Sequence, residues 1–299
     1  MHVAVTGSSG LIGSALVPHL ASAGHRVTRL VRRAPLAGEA AIPWDPARDQ
    51  LDPKALEGVD AVVHLAGESL VSGRWSDARK ARIRDSRVKS TALIARTFVR
   101  MARPPRVLVL SAGVGYYGDR ADEILREQSA PGKGFLAELA REWEAAAEAA
   151  ASAHTRVVRL RNGLVLSRRG GALGQMLLPF RLGLGGRLGS GTQYWSWIAL
   201  DDMVAVIQRA LAQPTLAGGV NAVSPHPVTN TEFTRTLAGV LRRPAFLPVP
   251  AFALRLVFGE MADEALLASG RAVPARLLAD GFVFRYPTLE AALRHALEA

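Results

Sequence analysis

The chain has 299 residues, is 49% hydrophobic, carries a formal charge of +11 and contains no cysteine. That length can bury one large core or two smaller ones, and the missing cysteines exclude disulfides, thiolate metal sites and a cysteine nucleophile. No apolar run approaches the roughly 18–20 residues of a membrane span, and no signal peptide precedes the first apolar segment. The expectation is a soluble, cytoplasmic protein with no membrane partner.

The seven histidines are scattered, with no pair at metal-ligand spacing, so no metal is expected. Lys54, Lys80, Lys89 and Lys133 are the lysines and every other basic residue is arginine. Such a ratio, beside so much alanine, reflects compositional bias. The densest cluster, Arg79, Lys80, Arg82, Arg84, Arg87 and Lys89, comes without a helix-turn-helix or a stacking motif. A nucleic-acid partner is therefore not expected. Locally placed arginines point instead to anionic small molecules.

The chain opens with the β-branched strand Val3-Ala4-Val5-Thr6, which runs into Gly7-Ser8-Ser9-Gly10-Leu11-Ile12-Gly13 and an amphipathic helix that stops at Gly24. Strand, glycine turn and helix in one unit form a dinucleotide-binding pattern. Gly7 allows the tight turn, Gly10 lets a pyrophosphate approach the backbone, and Gly13 lets the helix pack close. The helix N-terminus adds free N–H groups and a partial positive charge. A second strand, residues 25–31, ends at Arg32-Arg33. An NAD-preferring site usually carries an acidic residue there for the ribose 2′-OH; two arginines favour the 2′-phosphate of NADP, Arg32 ahead of Arg33.

A polar stretch containing Pro43-Trp44-Asp45-Pro46 leads to a third strand over residues 61–67, whose Ala66-Gly67 end suits a backbone passing under the adenosine side of a cofactor. His64 lies inside that apolar run and reads as a packed core histidine. One long helix covers residues 76–101. A fourth strand, 107–110, ends in a loop over 111–118 that lies at the carboxyl end of the sheet, where ligands bind. Residues 134–151 are helical, and a fifth strand, 156–160, runs into 161–166. Alternating strands and helices define a parallel α/β sheet.

From Ser167 the texture changes. Residues 170–191 are rich in glycine and leucine, residues 193–197 are aromatic, and a helix opens at Asp201-Asp202 with its acidic end toward the dipole. Thr229 and Glu232 have capping-box spacing, and short helices fill residues 230–299. The expected architecture is a Rossmann-type doubly wound parallel sheet with a smaller, mostly helical C-terminal substrate lobe. Residues 1–166, with parts of 197–226 returning to them, form the NADP-binding domain. Residues 167–196 and 227–299 form the small lobe, and the cleft between holds a small-molecule substrate.

Taken together, Thr6-Gly7 through Gly13, Leu65-Ala66-Gly67-Glu68, Ser86-Arg87, Gly115-Tyr116-Tyr117-Gly118, Gly183-Leu184-Gly185-Gly186, Ser196-Trp197-Ile198 and Gly259-Glu260-Met261 resemble an extended short-chain dehydrogenase/reductase. The chain is most similar to the atypical group of NAD(P)-dependent nucleotide-sugar epimerase-like proteins that end in a domain of unknown function. The resemblance implies an NADP(H) site. In it Gly7, Ser8, Ser9, Gly10, Leu11, Ile12 and Gly13 cradle the pyrophosphate and Arg32 takes the 2′-phosphate. Leu65, Ala66 and Gly67 lie along the adenosine side, and Arg82 and Arg87 reach the phosphates.

The departures concern catalysis. Most members pair a serine near the end of the fourth strand with Tyr-x-x-x-Lys on the next helix, the lysine lowering the tyrosine pKa. Here Gly113 stands for the serine, and the helix reads Phe135-Leu136-Ala137-Glu138-Leu139. Gln193 is followed by Tyr194 rather than the arginine that often binds a sugar nucleotide's diphosphate, and Ala199 replaces a frequent histidine. Tyr116 and Tyr117, with Ser111 nearby, are the remaining hydroxyls; the tyrosines either donate a proton or only pack. The catalytic residue is left open, as is the choice between an oxidoreductase or epimerase and a silent NADP(H) sensor.

Overall fold

The computed structural model describes all residues except 72, 153 and 299, and Ser152 in its backbone alone. Its centre is a parallel sheet of β1 (His2–Thr6), β2 (Arg26–Val31), β3 (Ala41–Pro43), β4 (Ala61–His64), β5 (Val107–Gly113), β6 (Arg156–Asn162) and β7 (Gly218–Ala222). In space the order is β7-β6-β5-β4-β1-β2-β3. The winding reverses between β1 and β4, so a crevice opens beyond their carboxyl ends, the place where such sheets bind ligands.

The strands are apolar on both faces because helices cover both. Successive residues alternate between the two layers. Val3, Val5, Val63 and Val109 pack with Leu16 and Leu20 of α1 (Leu11–Ser22) and with Met203 and Ile207 of α6 (Leu200–Ala212). Ala4, Val62, Leu108 and Leu110 face Leu93, Ile94 and Phe98 of α2 (Asp77–Val99) and Trp143 of α3 (Phe135–Ala146). Ser76 caps α2, accepting the Arg79 N–H at 3.3 Å.

A further core joins α5 (Gly171–Arg181), α7 (Asn230–Leu241) and α10 (Leu289–Glu298) through Leu173, Leu177, Phe233, Leu237 and Leu293. The capping box of α7 is formed: Thr229 Oγ1 accepts the Glu232 N–H, and Glu232 accepts the Thr229 N–H at 2.8 Å. Helices α8 (Ala251–Phe258) and α9 (Ala275–Ala279) complete the C-terminal part, with Leu277 and Phe284 packed into the core under α6.

Several boundaries differ from the sequence expectation. The polar stretch before β4 supplies an edge strand, β3, ending in Pro43, a residue that sheets accept at an edge. β5 does not stop at Leu110: Ser111, Ala112 and Gly113 pair with Leu160, Arg161 and Asn162. Small residues there have weak strand preference, but neighbours on both sides override it. β4 ends at His64, and residues 65–67 leave the sheet. The helix expected over 134–151 is broken at Ala147, whose N–H turns back to the Glu144 carbonyl, and α4 (Glu148–Ser152) follows. α2 stops at Val99.

His64 is fully buried, and its hydrogen bonds set the loop after β4. Ser90 Oγ donates to the Ser86 carbonyl, so it accepts from His64 Nε2 at 2.9 Å. His64 Nδ1 is then the acceptor of the Thr6 hydroxyl at 2.7 Å, and Thr6 Oγ1 accepts the Leu65 and Ala66 N–H groups, both at 3.1 Å. Burial, with a smaller contribution from the Arg87 charge, pulls the His64 pKa down to about 3.

Because the unfolded chain takes the proton near 6.5 and the folded chain only near 3, this contribution to stability is complete above pH 6.5. It is lost as pH falls from there toward 3, by about 1.4 kcal/mol per pH unit. Denaturant unfolding between pH 7 and pH 5 will show His64→Gln losing stability less steeply than the parent chain. Parallel slopes would refute the buried neutral imidazole.

Candidate functional site

The crevice is built on the glycine turn. Gly7 has φ +62°, and a Cβ there would stand 2.7 Å from the Leu65 carbonyl carbon and 2.8 Å from the Ala66 nitrogen. A Cβ on Gly13 would stand 2.2 Å from the Gly7 oxygen. Both positions are closed to any other residue. Gly10 is different: its nearest neighbour is the Gly7 oxygen, 3.3 Å from where a Cβ would sit, and its outer side is open. Gly10 begins α1 with no side-chain cap, so the helix end faces the crevice uncovered. Ser9 is exposed, Ser8, Leu11 and Ile12 are half-buried, and Leu11 packs against Gly171 at the start of α5.

Arg32 and Arg33 separate clearly. The Arg33 guanidinium grips Glu39 through two bonds of 2.8 and 2.7 Å. Arg32 is exposed just past the end of β2 and, among the described residues, makes no ion pair or side-chain hydrogen bond.

Inward from the turn lies a cavity of about 630 Å³. Leu65, Ala66, Gly67 and Arg87 line one side, and Ser111, Gly113 and Asn162, at the carboxyl ends of β5 and β6, also line it. Arg87 is 8% exposed. Its guanidinium donates to the Ile83 carbonyl at 3.2 Å, lies 5.1 Å from the Trp143 ring and packs under Gly67. Among the described residues it forms no salt bridge, and burial lowers its pKa to about 10, leaving it a cation at neutral pH. A buried cation without a carboxylate is costly unless an anion arrives.

Arg82 does not join it. Its side chain is exposed, 3.5 Å from Glu68, and does not line the cavity. Five residues along a helix turn a side chain by about 140°, so Arg82 and Arg87 cannot share a face; only spacings of three or four do.

Tyr194 lines the cavity, but neither Tyr116 nor Tyr117 does. Tyr117 is fully buried; its hydroxyl lies 2.7 Å from Asn221 Oδ1 and 3.0 Å from the Arg126 carbonyl, and accepts from Arg161 Nη1 at 3.0 Å. Tyr116 lies under the Arg161 guanidinium, 3.4 Å from its ring centroid. Burial pushes the Tyr117 phenol above its ordinary pKa. Both tyrosines are packing residues. Arg161, which no sequence motif singles out, organises them: it is 4% exposed and binds Glu144 through two bonds of 2.8 and 2.9 Å.

At the start of α3, Phe135 packs edge-on against Trp75, 5.2 Å between centroids, and Leu139 lines the cavity. The N-terminus of α3 is capped from the C-terminal part: Glu264 accepts the Phe135 and Leu136 N–H groups at 3.2 and 3.1 Å. The polar pair at the cavity floor is Ser111, whose hydroxyl donates to Asn162 Oδ1 at 3.1 Å. Asn162 was not singled out from the sequence; its place at a strand's carboxyl end was the available signal. Lys133 also lines the cavity and makes no ion pair among the described residues. No described group of three His, Asp or Glu side chains could hold a metal ion, and no described helix is long and apolar enough to cross a membrane.

Residues 3–222 match the NAD dependent epimerase/dehydratase family, and residues 249–296 match a domain of unknown function, DUF1731. The chain belongs to the NAD-dependent epimerase/dehydratase family. An epimerase family protein of Mycobacterium bovis is 46% identical over 294 residues, 98% of this chain and 97% of its own length. The solved structure of human epimerase family protein SDR39U1 with NADPH is 38% identical, with a TM-score of 0.89 over 100% of this chain and 99% of that one. A nucleoside-diphosphate sugar epimerase from Corynebacterium glutamicum is also 38% identical, with a TM-score of 0.83 over 99% of this chain and 58% of that one.

Glu144→Ala leaves Arg161 buried without its carboxylate and is expected to cost about 3–5 kcal/mol in urea unfolding. A loss under about 1 kcal/mol, the size of a surface pair, would mean that the ion pair does not organise this wall.

Proposed function

We propose that this chain is an NADP(H)-dependent oxidoreductase or epimerase-like enzyme of the short-chain dehydrogenase class, acting on a small molecule. The observation that carries the proposal is Arg32, a guanidinium without a partner beside a glycine turn and an uncapped helix end. A phosphate on the adenosine ribose meets Arg32 with no competing carboxylate, since Glu39 is held by Arg33. The turn Gly7, Ser8, Ser9, Gly10, Leu11, Ile12 and Gly13 cradles the pyrophosphate at the open start of α1, with the Gly10 N–H itself given to the Gly7 carbonyl at 3.0 Å. Leu65, Ala66 and Gly67 take the adenosine side, and Arg87 balances the negative charge from beneath Gly67. The NADPH in the human relative's structure supports this assignment.

When bound, the nicotinamide accepts or donates a hydride. Ser111 and Asn162 serve the reacting carbon from the floor of the cavity. With Asn162 Oδ1 accepting from Ser111, the Nδ2 amide keeps its N–H groups free to polarise a carbonyl oxygen. Residues 167–196 and 227–299 act as the lobe that closes the substrate side.

A silent NADP(H) sensor is the second reading, favoured by Leu139, which puts an apolar side chain where an ammonium would activate a tyrosine. Nicotinamide absorbance, followed with NADPH and a panel of carbonyl compounds and sugar nucleotides, decides between them. Oxidation by any panel member supports the enzyme; saturable NADPH binding without turnover supports the sensor; no binding at millimolar concentration refutes both. Arg32→Asp is expected to weaken NADPH by about tenfold or more, about 1.4 kcal/mol, with little change for NADH. Equal weakening of the two would remove Arg32 as the reader of the phosphate.

A further inference from the structure

We infer that the substrate end of the cavity takes an uncharged, largely apolar carbonyl compound or its alcohol, and does not take a nucleoside-diphosphate sugar. This rests on the cofactor assignment above, which fixes the end away from Gly67 as the substrate end.

Beyond Ser111 and Asn162, the apolar side chains facing that space are Leu136, Leu139, Leu164, Met176, Trp195 and Leu266; Tyr194 and Ser196 are the other neutral polar residues, and the Ser196 hydroxyl is already given to the Gly270 carbonyl at 2.7 Å. Such walls offer dispersion and aromatic contact, with few of the paired donors and acceptors a sugar ring requires. The volume argues the same way. About 630 Å³ must also admit the nicotinamide end of the cofactor, and what remains suits a small compound, not a second nucleotide.

The charges at that end disfavour a diphosphate. Asp119, Asp263 and Glu264 line it, against Lys133 as the one lining cation there among the described residues; Arg87 lies beneath Gly67. Asp263 is paired with Arg255 at 2.9 Å. Asp119 and Glu264 have no cationic partner among the described residues, so Lys133 does not reverse the sign of this wall. Asp119 and Asp263 are exposed and screened by water, so the half-buried Glu264 carries most of the repulsion toward a diphosphate.

The elements that bind phosphates elsewhere are already occupied here. A helix N-terminus is a ready anion site, and the first turn of α3, at Leu136, borders the cavity. Its Phe135 and Leu136 N–H groups are taken by the Glu264 carboxylate, and a Cβ at Gly134 would collide with the same carboxylate. Gln193 donates its amide to the Leu188 and Leu266 carbonyls, at 3.0 and 3.1 Å, and is turned inward. Arg271 stacks on Tyr194 and does not line the cavity.

The test is isothermal titration calorimetry on the full chain. NADP+ is titrated first, and the loaded protein then receives octan-2-one, 4-phenylbutan-2-one or UDP-glucose. With oxidised cofactor and a ketone no hydride moves, so the heat reports binding alone. The ketones are expected to bind at least about tenfold more tightly than UDP-glucose. UDP-glucose binding as tightly as the ketones, or no ketone binding at millimolar concentration, overturns the inference while leaving the cofactor assignment intact. Failure of NADP+ to load sinks that assignment and this inference with it. Met176→Glu, which places a charge on a half-buried wall, is expected to weaken ketone binding by about tenfold or more. Unaltered ketone affinity in that variant overturns the placement.

Discussion

Two strands meeting a helix at almost no distance is the constraint on which this molecule depends. The turn after β1 passes directly beneath the loop after β4, and α1 then folds back over the turn. Gly7 and Gly13 are the points of contact, with backbone atoms within 2.7 and 2.2 Å of where a Cβ would sit. The Thr6, His64 and Ser90 hydrogen bonds tie the same junction from below, inside the core. Together they hold the Leu65–Gly67 loop at the height of the glycine turn. That alignment gives the sheet a crevice at its switch point, with an exposed helix end at one side and Arg87 at the other.

Many of the arginines behind the +11 charge serve as internal ties. Arg161 braces Glu144, Tyr116 and Tyr117; Arg156 donates to the Ala210 and Leu216 carbonyls; Arg209 holds Asp280 at 2.7 Å. Each guanidinium offers five fixed donors, so one arginine can satisfy several carbonyls at the end of a helix or strand. Against that background Arg32 and Arg87 stand out, because both lie along the crevice without a carboxylate. A formal charge counted along a sequence does not distinguish a strut from a binding group, whereas the distribution of partners does.

The wall opposite the cofactor side follows a different logic. Leu139 lines the cavity with hydrocarbon, Phe135 packs on Trp75, and Glu264 reaches across from the C-terminal part to close the first turn of α3. The C-terminal segment thus contributes a helix cap and several cavity-lining residues at once. The neutral polar pair of the cavity, Ser111 and Asn162, sits on the adjacent strands β5 and β6.

Local patterns settled much of this protein before any tertiary contact was known. The glycine spacing, the apolar strands and the capping box at Thr229 each depend on residues within a few positions of one another, so the chain sequence carries them directly. The parallel sheet and the strand–turn–helix unit at its start were legible for that reason, whereas the order of the strands in space was not. What only the fold decided depends on partners far apart in sequence. Arg32 and Arg33 look alike until Glu39 takes one of them. Arg82 and Arg87 are the exception, since their spacing of five on one helix already points them apart. Tyr116 and Tyr117 look alike until Arg161, some forty-five residues on, bonds the buried Tyr117 hydroxyl and covers the half-buried Tyr116 ring. Which charges are spent and which remain free is set by packing in three dimensions, and the linear order of residues does not contain it.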